Sequence, residues 1–214
     1  MSDTSFGSIV FPVGAAGNHI RWLLFLDDKF PNPFNCDKMQ FIKKNVYCEE
    51  RSWNNWLQYE WKYRDHLNPV IEISHVKWDW ERVPEGKQLY LTFNDVDLPY
   101  NHYLHINLGL NCADPEHLKN FYQEWINEFE IIKQRIHEFP NKKIVHSDTI
   151  FQGTLSRELY QDIVNFYGFS DNYESANLVH QWYTACRKKS LEDFYKYFTS
   201  ESFLNTLDSI RKSY

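Results

Sequence analysis

Apolar and polar residues change their period several times along the chain, and those changes outline its elements. The first apolar run, Ser8 to Val13, ends at Gly14. From Ile20, Leu23 and Leu24 onward the apolar spacing is helical. This predicts a strand, a loop of small residues, and a helix from about Asn18 to Asp28 that Pro31 and Pro33 end. Residues 34 to 50 have no clean period, and Ser52 opens a predicted helix through Arg64. Val70 to His75 reads as a buried strand, and Gln88 to Phe93 as another after the turn signal Pro84-Glu85-Gly86. Tyr103 to Leu110 is a third strand or an irregular return.

The longest helical pattern starts at Asp114, a natural N-cap, with Pro115 at the first helical position. Leu118, Phe121, Tyr122, Trp125, Phe129, Ile132 and Ile136 carry it to Phe139, and Pro140 stops it. Lys142 to His146 is then a short strand, Ser156 to Tyr167 a helix closed by Gly168, and two further helices run from Glu174 to about Lys188 and from Leu191 onward. Strands alternating with helices predict parallel βαβ units. The expectation is one α/β domain over residues 1–214, three-layered, with a small parallel sheet and extensive helical cover. In such sheets ligands sit beyond the carboxyl ends of the strands, where Gly14–His19, His75, Asn94 and Asp148 fall.

Composition narrows the picture. At 214 residues the chain is long enough for one substantial core and short for two. Its 18% aromatic content is incompatible with disorder, and its net charge of −6 gives no global attraction to nucleic acid. Cys36, Cys48, Cys112 and Cys186 lack the spacing of a zinc site or a disulfide framework. With neither a secretory segment nor an 18-residue apolar run, a soluble cytoplasmic protein with reduced thiols is expected.

The chemistry centres on Gly14-Ala15-Ala16-Gly17-Asn18-His19. Small residues let an anion approach the free N–H groups of a helix start, whose dipole favours negative charge. The loop lacks the Gly-Lys-Ser/Thr ending of a nucleoside triphosphate site. Arg21, in the next turn, either neutralises a bound anion or pairs with an acid elsewhere.

The run Phe11 to Leu24 resembles the 5′-phosphosulfate loop of the sulfotransferase family. Ile144 to Phe151, followed by Leu155, Leu159, Tyr160, Ile163 and Phe166 to Phe169, is similar to that family's later strand and helix. The resemblance implies a P-loop-like fold using 3′-phosphoadenosine 5′-phosphosulfate. The donor would be held by Gly14, Ala15, Ala16, Gly17, Asn18, His19 and Arg21. The family places a histidine after its second core strand as general base, and His75 is the matching residue. An imidazole suits that role because it titrates near neutral pH. The family's 3′-phosphate arginine has no counterpart in Gln88 to Asp95, and Asp95 and Asp97 add opposing charge there. Arg187-Lys188-Lys189 either substitutes for the family's basic C-terminal segment or marks a helix end.

Two other groups have competing uses. His102 and His105, near Asp95 and Asp97, could ligate a metal only on a helical turn, because a strand would put them on opposite faces; no metal site is expected. Trp53, Trp56, Trp61, Trp78 and Trp80 serve packing, or stacking on a sugar or base. The leading expectation is sulfuryl transfer to a small-molecule or glycan acceptor, with no nucleic-acid or membrane partner. The alternatives are a non-catalytic protein of the same fold that binds an anion or a protein partner, and a phosphotransferase with an unusual loop.

Overall fold

The computed structural model describes residues 6–11, 16–48, 62–63, 66–75, 86–94 and 141–197, and part of a helical stretch between 120 and 138 (residues 120, 123–124, 126–127, 130–131, 133–134 and 136–138). The strands are β1 (Gly7–Phe11), β2 (Ile71–His75), β3 (Gln88–Thr92) and β4 (Lys142–His146). The helices are α1 (Gly17–Phe25), α2 (Lys38–Phe41), which continues into a π-helical turn (Ile42–Val46), α3 (Arg157–Tyr167) and α4 (Tyr173–Tyr197). A short 3-10 turn (Asp148–Phe151) follows β4.

The expected α/β architecture is present. All three pairings are parallel, and the sheet order is β2-β1-β3-β4. Every residue of β1 and four of the five in β3 are buried, so the two central strands are covered on both faces, as a parallel sheet requires. Ile9, Phe11, Leu89, Leu91 and Val145 alternate onto one face and share a core with Ile20, Leu24, Ile163 and Tyr183. Val10 and Tyr90 bury the other face.

Local chemistry fixes α3. Ser156 Oγ accepts the Leu159 N–H at 3.2 Å. At the other end Gly168 adopts φ 79°, and the N–H groups of Phe169 and Gly168 return to Val164 O and Asn165 O. This is a complete Schellman stop. The Tyr167 hydroxyl donates to Ser8 O at 2.7 Å and seats α3 against β1.

Three expectations are corrected. The aperiodic stretch 34–50 contains α2 and the π-helical turn. The extra residue in that turn breaks any 3.6 period, which is why the sequence pattern is unclear. Glu174 to Lys188 and Leu191 onward belong to one helix, α4, with no break between them. Arg187-Lys188-Lys189 therefore lies inside a helix and not at its end. Most of the predicted 52–64 helix, the 103–110 segment, the His102/His105 group and the five tryptophans lie outside the described residues.

Candidate functional site

The chain steps from β1 to β2 on one side and from β3 to β4 on the other. The switch point of the sheet is therefore between the carboxyl ends of β1 and β3, the place where such sheets hold ligands. β1 and β3 pair only as far as Val10↔Tyr90, whereas β1 stays with β2 to Phe11↔His75 and β3 with β4 to Thr92↔His146. The switch point therefore lies where β1 ends at Phe11 and β3 at Thr92.

Gly14 and Ala15 lie outside the described residues. Ala16 is the N-cap of α1 and is left-handed, with φ 61°. No side chain caps this end, and the first turn carries no acidic residue. Gly17 is required by packing, since a Cβ there would lie 1.9 Å from the Phe11 ring. Asn18 is half-buried, and its Oδ1 accepts from Arg21 Nη2 at 3.4 Å.

Arg21 is fully buried, and Nη1 donates to Asn68 Oδ1 and, at 3.2 Å, to Ile71 O. Ile71 begins β2, so this guanidinium lies toward the end of the sheet opposite the loop. Its other terminal nitrogen, Nη2, reaches back to Asn18 at the start of α1. The register sets His75 beside Phe11, about 4.8 Å away across one strand spacing, at the carboxyl ends of β1 and β2. The His75 side chain is outside the described set.

A polar cluster at the ends of β3 and β4 was only partly visible in the sequence. Thr92 Oγ1 donates to Val145 O at 3.2 Å and, with its proton so used, accepts from His146 Nδ1 at 3.2 Å. The Asp148 carboxylate accepts the Asn94 backbone N–H at 3.0 and 3.2 Å. Among the described residues no group of three or more metal-ligating side chains forms.

His19 turns into the interior. Its Nδ1 lies 2.8 Å from Tyr47 Oη, its Nε2 lies 3.0 Å from His180 Nδ1, and its ring stacks on Tyr183 at 3.8 Å. His180 Nε2 is 2.7 Å from Gln152 O. Sequence reasoning did not single out His180. The available signal was its place on the helical stripe Ala176, Val179, His180, Tyr183, all buried. Burial, reinforced by the Arg187 charge, pushes His180 below the usual imidazole range, against the pull of its bond to Gln152.

Fold and strand order together define the class: a parallel α/β protein whose four-stranded sheet has its switch point between β1 and β3. Compared with known proteins, the chain matches no family model, no curated protein and no solved structure. No helix among the described residues is long and apolar enough to cross a membrane.

Proposed function

We propose that this chain binds 3′-phosphoadenosine 5′-phosphosulfate at the β1–β3 switch point and transfers the sulfuryl group to a hydroxyl or amine of a small-molecule or glycan acceptor. The observation that carries the reading is the switch point of the sheet between β1 and β3, with α1, whose N-cap Ala16 makes no side-chain cap bond, following β1. The N–H groups and dipole of a helix start favour a phosphosulfate, and Ala16, Gly17 and the backbone of Asn18 and His19 are the residues to hold it. When bound, the donor supplies an activated sulfur–oxygen bond. The chain aligns the acceptor and takes its proton at His75 as the new sulfur–oxygen bond forms and 3′-phosphoadenosine 5′-phosphate departs.

One observation favours a second reading, a non-catalytic anion-binding protein. The buried Arg21 guanidinium is engaged by Asn68, Ile71 O and Asn18, so its charge is held by protein groups and anion binding falls to the loop backbone. Calorimetry with 3′-phosphoadenosine 5′-phosphate, followed by transfer assays from labelled donor to an acceptor panel, separates the two. Sulfuryl transfer requires saturable binding, label in an acceptor, and a rate that falls about 10²–10⁴-fold in His75→Ala with donor affinity retained. Binding without transfer establishes the second reading. No heat at millimolar nucleotide removes the sulfotransferase assignment.

A further inference from the structure

The two histidines enclosed between α1 and α4 have a fixed hydrogen-bonding order. A backbone carbonyl can only accept, so His180 Nε2 carries the proton directed at Gln152 O. In a neutral ring His180 Nδ1 is then an acceptor, and His19 Nε2 donates to it. His19 Nδ1 accepts in turn, from the Tyr47 hydroxyl. The chain runs one way, from Tyr47 through His19 and His180 to Gln152. Tyr183 holds the His19 ring in plane by stacking, at an interplanar angle of 11°. Both rings are buried, at 1% and 0% exposure.

The chain joins parts of the molecule that flank the switch point. His19 is in the first turn of α1, the turn that leaves the small-residue loop. Gln152 directly follows the 3-10 turn that leaves β4. Tyr47 is delivered by the π-helical turn, where its N–H bonds to Ile42 O. We propose that His19 and His180 are a positioning pair, a neutral one-directional chain that fixes the first turn of α1 against segment 148–152 and thereby sets the anion affinity of that turn. The affinity clause rests on the reading given under Proposed function; the chain itself does not.

The geometry limits the charge the pair can hold. One added proton is accommodated if the Tyr47 hydroxyl turns to accept from His19 Nδ1 while a single proton remains between the rings. A second proton would set two N–H groups against each other at 3.0 Å. The two rings therefore titrate as one coupled unit. Among the described contacts, the groups facing that unit include Arg187 from α4, the Tyr47 phenol from the π-helical turn, Tyr183 from α4 and the Gln152 carbonyl from the segment after β4. Burial and the Arg187 charge both oppose protonation of His180.

The test uses the full chain labelled with ¹⁵N, together with three variants. Ring ¹H–¹⁵N spectra at pH 7 are expected to give the Nε2–H tautomer for both rings, with no ordinary titration near pH 6.5. His180→Ala is expected to speed amide exchange at residues 17–20 by about tenfold while leaving α3 unchanged. Tyr47→Phe, which keeps the ring and loses only the terminal donor, gives a smaller rise of the same pattern if His180→Ala fails to fold. His19→Gln retains an amide donor towards His180 and restores most of the protection. Affinity for 3′-phosphoadenosine 5′-phosphate should weaken in parallel with the exchange rates. An Nδ1–H tautomer in either ring, an ordinary titration, a uniform loss of protection, or faster exchange with unchanged nucleotide affinity overturns the proposal. Failure of the wild type to bind nucleotide at all removes the proposed function and the affinity clause; the ring spectra and the exchange pattern still decide the chain.

Discussion

A Cβ built on Gly17 would lie 1.9 Å from Cε1 and 2.1 Å from Cδ1 of Phe11, a ring that is itself only 2% exposed. The ring has nowhere to go, so α1 would have to lift from β1. Gly17→Ala should lower stability by about 1–3 kcal/mol, the range for overpacking a filled core. Thermal denaturation should register this as roughly 2–4 °C per kcal/mol for a chain of this size. An unchanged melting temperature would mean that α1 does not sit this tightly. The sequence marked Gly17 as special but suggested anion approach as the reason. The contact that requires it joins a strand end to a helix start across a loop, and no local pattern contains it. Arg21 is similar: one partner, Asn18, is local, but Asn68 and Ile71 are about fifty residues away, and no local pattern contains them.

Among the elements, α3 was the most legible, because every determinant of it is local. Ser156 caps its start, Leu159 and Ile163 face inward as their spacing predicts, and Gly168 closes it; Phe166, also expected inside, is half-buried, and its neighbour Tyr167 takes the interior. Ser156→Ala should cost about 1 kcal/mol through loss of the bond to Leu159 N–H. Gly168→Ala should cost about 1 kcal/mol, because the site has open space but a φ of 79°. Urea midpoints of the two variants measure both effects, and a double mutant that costs no more than either alone would contradict two independent caps. The stretch from 34 to 50 was opaque for an equally physical reason. A four-residue helix that widens into a π turn has no single period to detect, yet it carries Tyr47 to His19. The continuity of α4 was hidden by Lys188, Lys189 and Ser190, polar residues that read as an interruption and are helical in the fold. The strand order was not legible either, because parallel partners are chosen by packing between elements far apart in sequence.

At the scale of the whole molecule, buried titratable groups make stability depend on pH from both sides. His180 titrates below its ordinary value of 6.5 when folded, whereas the unfolded chain takes up that proton near 6.5. Between those two points the unfolded state binds more protons, so stability rises with pH. The contribution is therefore complete above about pH 6.5 and is lost as pH falls through the folded value. Tyr160 and Tyr167 act at the other end. Burial pushes Tyr160 up to about 12 and Tyr167 well above its ordinary value of 10.0. From pH 10 to 12 the unfolded chain releases phenolic protons that the folded one retains, and stability falls as pH rises. The curve of unfolding free energy against pH should thus decline below pH 6.5 and again above pH 10. Urea denaturation at half-unit intervals measures it. His180→Gln should flatten the upper part of the acid limb without touching the alkaline one, and Tyr160→Phe should do the reverse. If the acid limb of His180→Gln superimposes on that of the wild type from pH 6.5 to 5.5, the buried imidazole pair is not the group that titrates. The acid sensitivity would then belong to carboxylates elsewhere.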